Sequence, residues 1–402
     1  MSEPTIYPWR YQINRSSFAH YWQKGIGVEL LKKIGSVPDI KNAEHFVPYL
    51  FDYDKEADNI IEQIHKKIGF TEGQKLIDKY FERSLDTKDP SYNLLDKFIR
   101  TMKSMAAEFD MEQIQHGILL SQRSAISGLI VLRDYCLMGG YESAAINKPL
   151  IYTGALKKGA VKRISETVEF WVNITGNDAL KYGNIGFISI VKIRLIHAFA
   201  RTNILAHTDW DINKWGYPLN TWDMLATNLG FSLVYIVGLQ RMGMKLLNEE
   251  ILGILKLWKY VGNLLGIPLT ILPNTEEEAI EALYYWTMTQ ANGDEDSLSL
   301  AYALQEEPLI AYHPKSKIGK KMMREIHLYY NHFLLGDYSC DLLGLDTTIT
   351  GKIAYMNILK NKYDSKHIQK KKHYDKLVAE GRKLHELIRN IYLQNIKGNA
   401  QH

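Results

Sequence analysis

The segment Phe187-Ile-Ser-Ile-Val-Lys-Ile-Arg194-Leu-Ile-His197-Ala-Phe-Ala-Arg201 decides how this chain is read. It lies within Ile185–His207, whose dense apolar content predicts a helix buried on most faces. Arg194, His197 and Arg201 interrupt it at i, i+3 and i+7, so on a helix they share one side. Charged groups among apolar residues are costly unless they are paired or hydrogen-bonded. Two kinds of partner meet that demand. One is a bound anionic cofactor, with His197 as metal ligand and the arginines neutralising carboxylates. The other is a set of protein carboxylates around a hydrogen-bonded core histidine, since a single histidine is the weakest of metal signals.

Outward from this helix the same periodicity recurs. Residues 56–66, 74–83 and 92–109 predict amphipathic helices, and 111–137 a more buried one that Gly139-Gly140 ends. The most apolar helices are predicted over 159–174, 185–207, 221–242 and 249–265. Asn220 is placed to cap the helix starting at Thr221, and Thr275 with Glu278 has capping-box spacing for 276–290. Further helices follow over 298–304 and 318–335, then a long basic one through 385–393. Alternating strand patterns bounded by turns are nearly absent. The expectation is an all-α chain, 1–402 as one helical domain, with a central core and helical additions at both ends.

Composition narrows the function classes. The 402 residues are 46% hydrophobic and 23% charged, a globular mixture that excludes wholesale disorder. Two cysteines, Cys136 and Cys340, are too few for a disulfide framework and read as small buried hydrophobes in a reducing compartment. The net charge of +4 conceals a division. Residues 351–402 hold ten Lys and two Arg against two Asp and two Glu, a net of +8, leaving −4 for the rest. This basic helical extension reads first as a solvated outer helix, and in its functional reading as a peripheral contact with an anionic membrane. No recognised pattern of interleaved bases and aromatics points to nucleic acid. The start lacks signal-peptide character, and no apolar run approaches the roughly 18 residues of a membrane span. A soluble cytoplasmic protein without a transmembrane segment is expected.

A second constellation is Lys162-Arg163-Ile-Ser-Glu166-Thr167-Val-Glu-Phe170-Trp171. On a helix, Arg163, Glu166, Thr167 and Phe170 form one side carrying a cation, a carboxylate, a hydroxyl and a ring. A carboxylate beside apolar residues can have a raised pKa and move protons. The plainer reading is an exposed Arg163–Glu166 ion pair worth little.

Taken together, the two segments resemble the family of latex clearing protein (rubber oxygenase) and the MpaB-type oxygenases. The family pattern pairs an Arg-x-x-(Glu or Lys)-Thr helix with Val-Arg-x-x-His-Ala-x-x-Arg; here these are Arg163-Ile-Ser-Glu166-Thr167 and Ile193-Arg194-Leu-Ile-His197-Ala198-Phe-Ala-Arg201. Gly216-Tyr-Pro218-Leu-Asn220-Thr-Trp-Asp223-Met224-Leu-Ala-Thr227-Asn-Leu-Gly-Phe231-Ser232 and Leu257-Trp258-Lys-Tyr-Val-Gly262-Asn-Leu-Leu-Gly266-Ile resemble two further family blocks. The resemblance covers about residues 110–278.

That resemblance implies a globin-like helical core around haem b, with His197 as the iron ligand and Arg163 and Thr167 in the distal pocket. Arg194 and Arg201 become candidates for the haem propionates through the face they share with His197. The implied chemistry is O2-dependent cleavage of a carbon–carbon double bond in an apolar or unsaturated small molecule, with Glu166 as acid or base and Thr167 as hydrogen-bond donor. In the rubber-cleaving branch the position of Glu166 is a lysine, so glutamate here implies a different resting state and substrate. Those enzymes also carry an acid upstream of the Arg-x-x-Lys-Thr helix; the region here reads Tyr141-Glu142-Ser-Ala-Ala-Ile-Asn147-Lys148-Pro149, which leaves the role of Glu142 open. A non-catalytic haem or ligand carrier or sensor, and a cofactor-free helical interaction protein, are the other classes compatible with these residues.

Overall fold

The structure, a computed structural model, describes residues 6–13, 15–154 and 159–399; the last three residues of the basic extension lie outside the described residues. It is all-α. Among the described residues the only β pairing is two isolated bridges, Tyr11 with Gln290 and Ser143 with Asn292.

Helices positioning the site are numbered here in chain order. α1 is Lys55–Ile60, continuing through a π turn at Ile61–His65. α2 is Met111–Arg123, and α3, Ala125–Val131, continues through a π segment at Leu132–Leu137 to Gly140. α4 is Ala144–Tyr152, α5 Ala160–Ile174 and α6 Ile185–His207. α7, Thr221–Leu229, runs through a second π segment, Gly230–Val234, into Tyr235–Arg241. α8 is Asn248–Leu264 and α9 Glu276–Thr287. α10 is Lys317–Leu335, α11 Asp337–Leu342, α12 Tyr355–Ser365 and α13 Lys371–Asn399.

Local chemistry explains the boundaries. The Asn220 side chain accepts from the Asp223 amide at 2.9 Å, capping α7 as its sequence predicts. Thr275 accepts from the Glu278 amide at 3.2 Å, but Glu278 reaches back to the amide of Asn274 rather than of the cap, so the box is shifted by one residue. The single helix expected over 111–137 is broken at Ala125, whose φ of 49° lies in the left-handed region. The π segments of α3 and α7, two of the three described, carry no sequence signal, yet both border the same cavity.

One close approach organises the core. α2 and α8 cross where Gly117 faces Gly253; a Cβ added at Gly117 would stand 2.4 Å from the Gly253 carbonyl oxygen. This contact seats α8 so that Trp258 stacks on Phe231 at 4.5 Å, with Trp171 6.0 Å from Trp258. The chain from Thr221 to Arg241 is long and apolar enough to cross a membrane by composition, and 72% of its most apolar window is buried inside the molecule. α13 lays one face on α2, α3 and α5, with His385 buried and bonded to the Ala125 carbonyl, and exposes Lys371, Lys372, Lys376 and Lys383.

Candidate active site

A cavity of about 470 Å³ opens between α3, α5, α6, α7 and α9. Its wall is largely apolar, with Leu132, Phe170, Phe231, Val234, Trp258 and Trp286 among the lining side chains. That is the size and character of a small-molecule site. Both π segments supply wall residues: Leu132, Tyr135, Cys136 and Leu137 from one, Gly230, Phe231 and Val234 from the other. A π bulge turns side chains out of the regular helical register and recurs at functional sites.

His197 lines this cavity from α6. Its Nδ1 is buried and has no hydrogen-bond partner. Burial, followed by the nearby charge of Arg201, pushes the imidazole down to about 4, so it is neutral at pH 7 with a lone pair to offer. An orphaned, neutral imidazole in a cavity wall fits a metal-bearing cofactor, whereas a satisfied core histidine would have a partner for that nitrogen.

The charged stripe of α6 divides in the fold. Arg194 and Arg201 are seven residues apart and nearly aligned, while His197 stands about 60° around the helix. Both arginines turn toward α1 and the segment before it. Arg194 Nε donates to Asp54 at 2.6 Å, and its Nη2 donates to Asp54 and to Glu56, each at 3.0 Å. Arg201 Nε donates to both carboxylate oxygens of Asp58 at 3.1 Å, and Nη1 donates to the Leu219 carbonyl. Neither arginine lines the cavity. Their expected role at haem propionates is corrected: protein carboxylates from the N-terminal additions, which no spacing within α6 reveals, already neutralise them.

α5 brings Arg163, Glu166, Thr167 and Phe170 to the wall together, as the helical spacing predicts. Arg163 does not pair with Glu166. It donates to the Tyr141 hydroxyl at 2.9 Å and lies over that ring. Thr167 donates to the Arg163 carbonyl at 3.0 Å, which leaves its oxygen able to accept. Glu166 sits at the rim with 58% of its side chain exposed, and Lys162 stands 3.8 Å away.

Two buried carboxyls line the cavity: Asp223, which Arg10 holds with two hydrogen bonds of 2.6 and 2.7 Å, and Glu142, which no cation pairs. It is 5% exposed, and burial pushes it up to about 7, with a hydrogen bond to Ser339 of α11 acting in the opposite direction. Asn147 fixes its loop by donating to the carbonyls of Tyr141 at 3.1 Å and Ser143 at 2.8 Å. Cys136 also faces the cavity, half-buried, rather than being a fully buried filler as expected. Tyr135 and Tyr21 meet there hydroxyl to hydroxyl at 3.5 Å. The tryptophans around residues 209–220, by contrast, pack away from the cavity. Trp210 donates to the Gly216 carbonyl, Trp222 stacks on Phe46 at 4.2 Å, and none of Trp210, Trp215 and Trp222 lines the cavity.

Comparison with known proteins bears on the fold and the family. No curated protein matches the chain. Among solved structures, the chain is similar to latex clearing protein in the closed state, with a TM-score of 0.54 and 16% identity over 87% of this chain and 92% of that one; at such identity the likeness concerns the fold. Residues 127–360, more than half of the chain, match the model of the catalytic domain described as ER-bound oxygenase mpaB/B'/rubber oxygenase. The chain therefore belongs to the mpaB/rubber oxygenase catalytic-domain family.

Proposed function

We propose that this oxygenase-family chain is a haem b-dependent enzyme that uses O2 on an apolar, unsaturated small molecule. The observation that carries the reading is His197 in the cavity wall, a neutral imidazole that no described protein group hydrogen-bonds. It also separates this reading from a cofactor-free interaction protein: protein carboxylates neutralise both arginines of the stripe, although Arg194 Nη1 is left without a partner, whereas no protein group meets the imidazole of His197.

His197 would hold the haem, and bound haem supplies iron for dioxygen activation and cleavage of a carbon–carbon double bond. The chain's own residues do the rest. The apolar wall orients a hydrocarbon chain and excludes water. Arg163, the one Lys or Arg side chain among the described lining residues, offers a fixed positive charge beside Tyr141. Thr167, its proton given to the Arg163 carbonyl, offers a hydroxyl oxygen that accepts. Glu142, half ionised near neutrality, takes or returns a proton at its carboxylate oxygen. It therefore joins Glu166, which stands at the rim, as a candidate general base, and it is the one that burial tunes toward neutral pH.

Absorption spectroscopy with pyridine haemochrome analysis tests the reading. The protein expressed with ample haem should show a Soret band, and His197→Ala should lose haem while its helical circular dichroism persists. Full haem occupancy with an unchanged spectrum in that variant would overturn the assignment of His197. O2 consumption with isoprenoid and fatty-acid alkenes, compared with free haem, separates an enzyme from a carrier.

A further inference from the structure

The exposed apolar side chains of this molecule are not scattered evenly. Ile318 is 81% exposed and Met322 52% exposed on α10; Ile349 is 82% and Ile353 56% exposed in the segment leading into α12, and Met356 is 64% exposed in its first turn. The two elements pack on each other at Thr350–Ala354. Thr348 and Thr350 both donate to Glu325 of α10, at 2.6 and 3.2 Å, which lays Ile349 against that helix. Met322 and Ile318 lie three and seven residues before Glu325, on its face of α10. Gly351 permits the approach, since a Cβ there would stand 2.1 Å from the Glu325 carbonyl oxygen. Along α12 the apolar row continues through Leu359 and Tyr363, opposite the buried Ile358 and Asn361.

Lysines interleave with this row. Residues 314–323 contain Lys315, Lys317, Lys320 and Lys321, and residues 349–363 contain Lys352, Lys360 and Lys362; neither segment contains a carboxylate. Among the described residues only Lys360 of these seven has an ion-pair partner, Asp364. Glu325, beneath the seam, is taken up by the two threonines and by Arg324.

We infer that the surface formed by α10 and the 349–363 segment is a peripheral docking face for an anionic lipid bilayer. Long, flexible aliphatic side chains ringed by unpaired lysines suit an interface where apolar groups enter the acyl boundary and ammonium groups meet anionic headgroups. Protein interfaces have the opposite composition, with lysine depleted and Trp and Arg anchors at their centres. The face also differs from the basic α13, one side of which is docked on the core.

Co-sedimentation of the full chain with vesicles tests this. Binding to phosphatidylcholine vesicles containing phosphatidylserine should exceed binding to phosphatidylcholine alone by about tenfold or more, and should fall as salt is raised. Combined Ile349→Asp, Ile353→Asp and Met356→Glu should lower binding by about tenfold or more, and so should Lys321→Glu with Lys352→Glu, both exposed beside the apolar row. Lys372→Glu with Lys383→Glu, on α13, should leave it nearly unchanged. If the triple variant is poorly folded by circular dichroism, the exposed lysine pair alone decides. No preference for anionic vesicles, or undiminished binding by the decisive variants, overturns the inference. A self-associated wild-type chain that the same substitutions render monomeric also overturns it, because the face is then an interface between copies.

Discussion

Arg194 on α6 holds Asp54 at 2.6 Å, across 140 residues of chain, and this buried pair turns the charged side of the helix away from the cavity. His197 is left facing the cavity while both arginines are retained by the N-terminal additions. Those additions are thus part of what presents the histidine.

Asp54→Asn should therefore destabilise the protein by about 3 kcal/mol, because it strands a buried guanidinium. Glu56, with 42% of its side chain exposed, compensates little. Urea unfolding monitored by circular dichroism measures the loss. A change under about 1 kcal/mol would mean the pair behaves like a surface bridge.

Glu142 gives the stability a pH signature. Its ordinary value is 4.5 and burial pushes it up to about 7 in the folded state, so the folded chain binds this proton more tightly than the unfolded one. The resulting stability is fully present below pH 4.5 and is lost as pH rises to about 7, about 3 kcal/mol in all. Glu142→Gln should abolish that dependence, gaining on the parent as pH goes from 5 to 8. Parallel melting curves for the two proteins across that range would contradict the assignment.

The α2–α8 crossing tolerates no side chain. Gly253→Ala places a Cβ 2.3 Å from the Gly117 amide nitrogen, against backbone that has little room to yield. It should cost about 2 kcal/mol or more and displace Trp258 in the cavity wall. Thermal unfolding and near-ultraviolet circular dichroism report the two effects separately.

Trp258 and Trp286 line the cavity, so haem bound there should quench much of the tryptophan emission during a haemin titration. Trp258→Phe should shrink that quenching while leaving binding measurable by absorbance. Haem that binds without quenching would lie elsewhere in the molecule.

What the sequence determined is what depends on short spacings. Helical periodicity requires no distant partner, so the all-α class, most helix limits and the cap at Asn220 were legible from it. The same logic brought Arg163, Glu166, Thr167 and Phe170 to one wall and placed His197 beside an unusual pair of arginines. Tertiary structure decided whatever depends on partners far away in the chain. Asp54 and Asp58 claim the arginines, Ser339 and the packing around residues 141–147 bury Glu142, and Lys162 with solvent takes Glu166. A carboxylate's chemistry is set by its burial and neighbouring charges, and those are properties of the folded chain.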